Sequence, residues 1–286
     1  MAESVAAEYI AARRAVMDAL AALRKQPDPV VMVGAQAIYL RTGSADFDVA
    51  VAPYTTDADL VLDPDLLGGE PQINEVMRAA GFTPSGQPGT WMTEVRVGDR
   101  RFDVPVDLLV PEALAGPGRR AARLPAQGRN VARRSRGLEA ALVDNSRMAV
   151  SSFDDDDDRI FHVAVASAAA LFIAKAHKLA ERVNAVPYRA DRVKPKDASD
   201  VFRLVQAEPA GRVGRRLGEL ASDPVAGEVV VSGVQHLVDL FGRRGRPGVQ
   251  LAVQALSAGA VPPERVVALL VAYVAELKTA YAGASS

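Results

Sequence analysis

Two carboxylates, Asp57 and Asp59, stand two residues apart immediately before the apolar run Leu60–Leu62. In a β-strand, residues i and i+2 project from the same face, so both carboxylates would lie side by side. Neighbouring carboxylates repel each other unless a cation lies between them, and Mg²⁺ prefers oxygen ligands of this kind. The spacing therefore predicts a divalent-cation site at the start of this strand. The alternative is turn chemistry, since aspartate is also favoured where a turn enters a strand.

A third carboxylate candidate lies in the apolar segment Val106–Val110. Apolar residues bracket Asp107 on both sides, and an acid in such a strand is costly unless it has a partner. Asp103 has the same parity along the strand and competes for the role of third metal ligand. Pro105 cannot donate a hydrogen bond to a sheet, which predicts an edge strand or a nearby bulge. We therefore prefer Asp107 as the third ligand, with Asp103 as the competing candidate.

A second group of charged residues follows in the C-terminal half. Lys175 comes after the mostly apolar helical segment 168–174, which would hold its ammonium near a core, where it can approach phosphate as a point charge. Lys178 lies one turn further along nearly the same face and is the second choice. Asp197 stands at a predicted helix start, where the helix dipole stabilises it, and its other interpretation is a surface charge. Asp200, one turn later, would cap, pair or bind in the site, and Arg182 would pair with either carboxylate or lie on the surface.

Composition narrows the class of protein. The chain has 286 residues, of which 49% are apolar, enough for one large domain or two ordinary ones. It has no cysteine, which excludes disulfides and thiolate metal sites, and its three histidines make a zinc centre a poor expectation. The N-terminal segment carries Arg13, Arg14 and Asp18 at helical spacing, unlike a signal peptide. The longest mainly apolar run, Val163–Ala174, is too short for a transmembrane helix. We expect a soluble cytoplasmic protein that does not bind a membrane.

The formal net charge of −1 conceals two local concentrations of charge. Arginines are dense between Arg119 and Arg136, with no acid among them, which suits attraction to RNA phosphates. A basic loop produced by codon bias explains the same arginines equally well. The acidic run Asp154–Asp158 lacks the glycine and the ligand spacing of a calcium loop, so we predict a solvated hairpin turn.

Periodicity and turn residues predict an α/β region over residues 1–166 and a helical region over residues 167–286. The predicted strands are Val30–Val33, Asp57–Leu62, a hairpin of Trp91–Val97 with Arg101–Val110, Leu138–Val143, Met148–Phe153 and Ile160–Val165, with an irregular segment over 111–137. The predicted helices are Ser4–Lys25, Ala35–Leu40, Gln72–Ala80, Ala168–Val183, Lys196–Ala207, Arg212–Ala221, Val229–Phe241, Gly248–Ala258 and Pro263–Ala282.

Four motifs occur in order and carry a resemblance. They are a turn at Gly34, the sequence Asp57-Ala58-Asp59 at a strand, a lysine in an apolar helix, and Lys196-Asp197-Ala198-Ser199-Asp200-Val201 at a helix start. Together, over about residues 30 to 205, they resemble the AbiEii/AbiGii-type (MenT-like) nucleotidyltransferase toxins of the polymerase-β-like superfamily. The family turn continues with Gly or Ser and often a hydroxyl residue, whereas this chain has Ala35 and Gln36, so the nucleotide preference stays open.

The resemblance implies an α+β fold, in which a polymerase-β-like core with a mixed sheet precedes a helical region that contributes Lys and Asp to the active site. It implies a transferase that moves NMP from an NTP to an acceptor, expected to be a tRNA 3′ end, with Mg²⁺ or Mn²⁺ as cofactor. The protein would then be the toxin of a type IV-like toxin–antitoxin system with a cognate antitoxin as partner. The implied catalytic residues are Asp57, Asp59, Lys175 and Asp197; the nucleotide-binding residues Gly34, Ala35, Gln36, Thr56 and Lys178; and the metal ligands Asp57, Asp59 and Asp107.

Two other functions remain open at this point. The acceptor hydroxyl could belong to a protein or to a small molecule such as an aminoglycoside. Alternatively, the fold could have lost its activity and serve as a binding module, against which the intact Asp57, Asp59, Lys175 and Asp197 argue. A P-loop kinase is excluded because the chain has no Gly-x-x-x-x-Gly-Lys-Ser/Thr motif.

Overall fold

The computed structural model describes residues 7–26, 28–43, 55–154, 156–186, 190–257 and 261–284. The chain forms two compact units. Over their described parts, unit 1 comprises Met1–Leu40, Pro53–Ser135 and Asn145–Ala166, and unit 2 comprises Arg41–Ala52, Arg136–Asp144 and Ser167–Ser286. A mixed sheet with helices in the first unit and a helical region at the C-terminus confirm the predicted α+β class.

Unit 1 is built on an eight-stranded sheet in the order β3-β4-β5-β2-β1-β8-β7, with β6 paired to β5. The β2–β5, β1–β8 and β5–β6 pairs are parallel and the others antiparallel, so the sheet is mixed. The strands are β1 (Val30–Val33), β2 (Ala58–Leu62), β3 (Thr83–Pro84), β4 (Thr90–Val97), β5 (Arg100–Pro111), β6 (Arg133–Ser135), β7 (Asn145–Ser151) and β8 (Ile160–Ala166).

Among the described residues of unit 1, three helices accompany the sheet: α1 (Ala7–Leu23), α2 (Gly34–Thr42) and α3 (Ile73–Ala79). Helix α1 packs against β4 and β5 through a face rich in alanine, with Val16 and Met17 fully buried. The central strand β1 is buried at all four positions, as its uninterrupted Val-Val-Met-Val sequence requires. Apolar side chains on both faces therefore bury the centre of the sheet. The predicted carboxylates Asp57 and Asp59 lie at the start of β2, which pairs with β1.

The prediction that Pro105 marks an edge strand is wrong for β5 as a whole, because β5 pairs with both β4 and β2. The physical argument nevertheless applies locally. Pairing with β2 begins at Val106, one residue after Pro105, and Pro105 itself pairs only with Met92 of β4 among the described strands. The missing N–H of proline therefore falls where the second neighbouring strand has not yet begun.

Two further predictions in this part of the chain need correction. The predicted strand Leu138–Val143 is wrong: Glu139–Val143 forms a short helix, α4, consistent with its run of good helix formers Glu-Ala-Ala-Leu. Gly137 precedes it with φ +81, and a Cβ there would lie 2.5 Å from the His177 ring. The segment predicted as irregular also contains β6, which the short sequence Arg-Arg-Ser does not signal.

The acidic run joins β7 to β8 in an antiparallel hairpin, as predicted. Its described residues are less solvated than expected, because Asp154 pairs with Arg14 of α1 and Asp157 with Arg159 at 2.7 Å. Arg159 also reaches Asp18 of α1 at 2.6 Å. The hairpin turn is therefore tied to α1 by charge pairs.

The described C-terminal part of unit 2 is mainly helical, as predicted, and also contains a short 3₁₀ turn at Ala190–Arg192. Ser167 caps the first long helix by accepting a hydrogen bond from the Ala170 N–H at 3.1 Å. After α4, the helices are α5 (Ala168–Asn184), α6 (Pro195–Ala207), α7 (Ala210–Leu220), α8 (Gly227–Phe241), α9 (Pro247–Leu256) and α10 (Pro263–Ala284).

Helix α10 is the one helix, within the described ranges, with the length and composition of a membrane span. Core helices of soluble proteins meet the same criterion, so this finding alone assigns no membrane. In the structure α10 packs closely on α7, where a Cβ at Gly214 would lie 2.4 Å from the Leu277 carbonyl oxygen. The glycines of α7 therefore allow the two helix backbones to approach each other.

Candidate functional site

The junction between β1 and α2 brings a glycine and a carboxylate into close contact. Gly34 has φ +71, and Asp59 is the register partner of Val33 on the neighbouring strand. A Cβ added at Gly34 would lie 2.1 Å from Asp59 Oδ2. Only glycine therefore provides both the backbone conformation and the space for the Asp59 carboxylate beside the start of α2.

Asp57 directly precedes β2 and is held by its surroundings. The hydroxyl of the buried Thr55 donates a hydrogen bond to Asp57 Oδ1 at 2.6 Å. The Gln36 amide donates to the Asp57 carbonyl oxygen at 3.4 Å. These contacts fix both the side chain and the backbone of Asp57 near the beginning of β2, two residues before Asp59.

Gln36 is buried and faces the interior of unit 1. Its Oε1 accepts from Arg13 Nε at 2.9 Å, and its Nε2 donates to the Ala12 carbonyl oxygen at 3.0 Å. Ala35 is also buried, whereas Thr56 is exposed. Among these nucleotide-binding candidates, the Gln36 side chain is thus occupied in the core, and the backbone groups at the start of α2 carry the anion-binding potential.

Arg13, next to Gln36, is a buried cation that the sequence gave no reason to single out. It is 2% exposed and donates to the Ser151 carbonyl oxygen at 3.0 Å and to the Tyr9 hydroxyl at 3.1 Å. Its guanidinium also lies 4.4 Å from the centre of the Phe153 ring. Burial lowers the pKa of this guanidinium below its ordinary value. It links α1 to the beginning of α2.

Asp107 lies in register with Asp59 on the adjacent parallel strand, so both side chains project from the same face of the sheet. The Thr90 hydroxyl donates to Asp107 Oδ1 at 2.6 Å, and the Arg133 guanidinium donates to Oδ2. Asp103 is exposed, and its register partner is Glu94 of β4. It lies in the part of β5 that precedes the pairing with β2. Of the two candidates for a third carboxylate, the register places Asp107 next to Asp59.

The donor chemistry of Asp57 and Asp59 suits a hard divalent cation, since both offer carboxylate oxygens at the same edge of β2. Within the described ranges, no three His, Asp or Glu side chains are arranged as a metal-ligand set. Asp107 lies against a cation, since Arg133 pairs with its Oδ2, and this positive charge disfavours a metal ion at Asp107. Asp57 and Asp59 therefore stay the candidates for a metal ion, and the guanidinium beside Asp107 argues against a third ligand there.

A second cluster forms in unit 2 between α5 and the beginning of α6. Lys175 Nζ lies 2.9 Å from Asp197 Oδ1 and 2.6 Å from Asp200 Oδ2, and all three side chains are at most 7% exposed. Lys178 lies 3.5 Å from Asp197, and Arg182 bonds the other Asp197 oxygen. The sequence-predicted Lys175 and Asp197 are thus brought into direct contact, and Asp200 joins them as a buried partner.

The ionisation of this cluster follows from its contacts. Burial opposes the charged form of Lys175, but Asp197 and Asp200 outweigh it and hold the pKa of its ammonium above the ordinary value. Burial likewise opposes the charged form of Asp197, but Lys175, Lys178 and Arg182 outweigh it and hold its pKa below the ordinary value. A carboxylate with a lowered pKa is a weak base. Asp197 is therefore better suited to orienting a group than to accepting a proton.

The positive charge that remains accessible in this cluster belongs to other side chains. Lys175 is almost fully enclosed, whereas the side chains of Lys178 and Lys196 are 37% and 36% exposed. A phosphate could reach these two ammonium groups without breaking the contacts of Lys175. The burial of Lys175 agrees with the apolar segment that precedes it, whereas its contacts with Asp197 and Asp200 have no local signal in the sequence.

Comparisons with known proteins assign the chain to no family. No protein-family model matches the chain, and no curated protein sequence matches it. Among solved structures, one described as a "putative nucleotidyltransferase from H. pylori" superposes with a TM-score of 0.41 at 12% identity, covering 95% of each chain. A similarity of this degree establishes no shared activity.

Proposed function

We propose that the protein is a metal-dependent nucleotidyltransferase that transfers NMP from an NTP to an acceptor hydroxyl. The observation that carries this proposal is the contact at the β1–α2 junction, where Gly34 leaves room for the Asp59 carboxylate beside the start of α2. A carboxylate next to backbone N–H groups at a helix N-terminus supplies two complementary elements for a metal-bound triphosphate. Asp57 adds a second carboxylate that Thr55 holds in place.

In this proposal Asp57 and Asp59 hold Mg²⁺ or Mn²⁺, which would neutralise triphosphate charge and orient the α-phosphorus for in-line attack. The N–H groups at the start of α2 bind a phosphate oxygen. The Thr55 hydroxyl and the Gln36 amide keep Asp57 in position while charge accumulates on the phosphates. Preorganised groups of this kind lower the barrier without reorganising during the reaction.

The cluster in unit 2 has a proposed part in the same reaction on the strength of the sequence resemblance. Asp197 orients the acceptor hydroxyl, and Lys178 and Lys196 attract phosphate oxygens. Lys175 keeps Asp197 ionised and in place through its 2.9 Å contact. The proposed acceptor is RNA, at a tRNA 3′ end, in a toxin controlled by a cognate antitoxin. The arginine-rich sequence between Arg119 and Arg136 is compatible with this acceptor.

The test is incubation of the purified protein with Mg²⁺, each α-labelled NTP in turn, and total tRNA. We expect label on RNA, and we expect Asp59→Asn to reduce it on the order of 1,000-fold or more, since removal of a catalytic group has effects of this size. Asp103→Asn is the matched control, because it removes the same charge from an exposed site on β5. It should retain full activity.

The outcomes separate the rival functions. Asp59-dependent label on RNA supports the proposal and identifies the nucleotide. Label on protein in place of RNA replaces the RNA acceptor by a protein hydroxyl. If the folded wild-type protein transfers no label and binds no Mg²⁺-NTP in equilibrium dialysis, the enzyme proposal fails and a binding module remains.

A further inference from the structure

We propose that Arg133 is a phosphate-binding residue of this protein and that Asp107 serves as its anchor and not as a metal ligand. This inference rests on the proposed NTP-dependent function, since the phosphate in question is that of the nucleotide. It concerns a residue that the sequence motifs did not single out. Four features of unit 1 support it: the strand register, the way β6 is held, the contacts of Asp107, and an unpaired donor on Arg133.

The register places the Arg133 side chain on the carboxylate face of the sheet. Strand β6 runs parallel to β5, with Arg133 paired to Leu109. Leu109 and Asp107 are two residues apart and share a face, and Asp107 is the register partner of Asp59. Arg133, Asp107 and Asp59 therefore belong to one face of three adjacent strands.

The backbone around Arg133 packs closely against β4 and against Gly89, which directly precedes β4. Gly89 has φ +74, and a Cβ there would lie 2.3 Å from the Arg133 backbone nitrogen. The fully buried Trp91 donates its indole N–H to the Val131 carbonyl oxygen at 3.1 Å. Both contacts fix the backbone leading into β6, so the position of Arg133 is set by the fold and not by its salt bridge alone.

Asp107 is less suited to a metal ion than its register with Asp59 suggests, because a guanidinium lies against it. One carboxylate oxygen accepts from the Thr90 hydroxyl at 2.6 Å, and the other accepts from the Arg133 guanidinium. The guanidinium already supplies the positive charge that would allow Asp107 to lie in register with Asp59. Asp107 thus behaves as a carboxylate that positions an arginine.

Arg133 retains donors for another ligand. Its Nε is enclosed but has no hydrogen-bond partner among the residues that the structure describes, and its side chain is 39% exposed. A buried N–H without a partner is unfavourable, so a ligand that accepts a hydrogen bond there gains affinity. The planar guanidinium matches phosphate with paired donors, and a carboxylate on one edge leaves another edge for the ligand.

The test measures equilibrium binding of the full chain to Mg²⁺-NTP, with the nucleotide identified in the transfer assay. We expect Arg133→Gln to weaken binding about 10- to 100-fold, the effect of one charge-assisted contact. Binding of the matching nucleoside, which has no phosphate, should be unchanged, and inorganic triphosphate should compete with NTP less well in the variant. Arg133→Lys should recover only part of the affinity, because an ammonium cannot donate the same paired bonds.

Arg134→Gln is the matched control. Arg134 is the next residue on β6 and projects from the opposite face, where it bonds the Gly118 carbonyl oxygen and lies 3.7 Å from Glu112. Its Nε, like that of Arg133, has no hydrogen-bond partner among the described residues, so the control isolates the effect of the carboxylate face. The substitution removes the same charge and leaves the Asp107 contact intact. NTP binding should stay within about twofold of wild type, and circular dichroism should show that each variant is folded.

Asp107→Asn separates anchoring from metal binding. As an anchor, Asp107 acts through Arg133, so the double variant with Arg133→Gln should bind NTP as Arg133→Gln does alone. The Mg²⁺ concentration for half-maximal NTP binding should not rise in Asp107→Asn. A rise there, or additive losses in the double variant, would overturn the anchor role. Unchanged NTP affinity in a folded Arg133→Gln protein would overturn the inference, whereas no NTP binding by wild type would instead defeat the proposed function.

Discussion

The carboxylates of unit 1 and those of unit 2 occupy contrasting environments. Asp57 and Asp59 are half-buried at the edge of β2, beside a glycine turn. Asp197 and Asp200 are enclosed and contact the buried ammonium of Lys175. Asp57 accepts a hydrogen bond from the Thr55 hydroxyl and Asp59 lies against Gly34, whereas Asp197 and Asp200 lie against the ammonium of Lys175. We propose that the first pair binds a cation, and the second pair is held in place by the cations of its own unit.

This contrast predicts opposite signatures for charge removal. Lys175→Met should lower the free energy of unfolding by about 3–5 kcal/mol, because it leaves Asp197 and Asp200 buried with an ammonium missing. Asp59→Asn should change it by about 1 kcal/mol or less while abolishing transfer. Urea titration measures both. Lys178→Met is the control, and its more exposed side chain should contribute about 1 kcal/mol or less. Equal effects at Lys175 and Lys178 would contradict the buried-cluster interpretation.

A glycine comparison tests the contact that defines the first region. Gly34→Ala adds a Cβ 2.1 Å from Asp59 Oδ2 at a position with φ +71. We expect a loss of about 1–2 kcal/mol from backbone strain, together with a displaced Asp59 and a loss of transfer close to that of Asp59→Asn. Gly81→Ala has a similar φ of +86 and no atom within 4 Å. It should lose stability and keep activity, so equal activity of the two variants would refute the role of the contact.

The pH dependence of stability sharpens the second region. The pKa of Asp197 lies below its ordinary value in the folded protein, so its contribution is present above the pKa of the unfolded chain and is lost as pH falls through the folded value. Unit 2 should therefore lose stability as the pH falls below about 4, the ordinary range of aspartate. Asp197→Asn should be less stable at pH 7 and show a flatter acid dependence. An identical slope in both proteins would refute this account of the cluster.

The smallest effect is expected at the acidic hairpin turn. Asp156 and Asp158 are exposed, unlike the carboxylates of either region. Replacing both with asparagine should change the free energy of unfolding by no more than about 0.5 kcal/mol, the usual range for surface sites, and leave transfer unaltered. A large loss of transfer would show that this acidic run, and not only the β2 carboxylates, takes part in the reaction.

Some elements could be predicted because local sequence dominates them. Uninterrupted apolar residues predicted β1, alternating apolar residues predicted the β4–β5 hairpin, and helical periodicity predicted α5 from Ala168. The Leu138–Val143 segment failed because a short apolar run fits a strand or a helix equally well. Strand β6 was not predicted, because three polar residues carry no strand signal of their own. They form a strand here by pairing with the C-terminal residues of β5.

The candidate residues divide in the same way. Asp57 and Asp59 were selected because their spacing and the apolar run that follows them are local signals. Arg133 and Arg13 were missed because an arginine in sequence carries no sign of the distant carboxylate or glutamine that it meets. Lys175 and Asp197 were both selected as site residues, but their contact with each other was not predicted. The sequence around each residue does not show whether its charge meets a ligand or another side chain of the protein.

The sequence by itself determined most of the long helices and strands, the two carboxylate-bearing segments and the glycine at the first turn, because periodicity, spacing and backbone freedom are local properties. Only the tertiary structure decided which charges are neutralised. Register set Asp107 beside Asp59 and brought Arg133 to it, and helix packing enclosed Lys175 between two carboxylates. Electrostatic partners are separated by tens of residues in the chain, and the energy of a charge depends on its burial and on those partners.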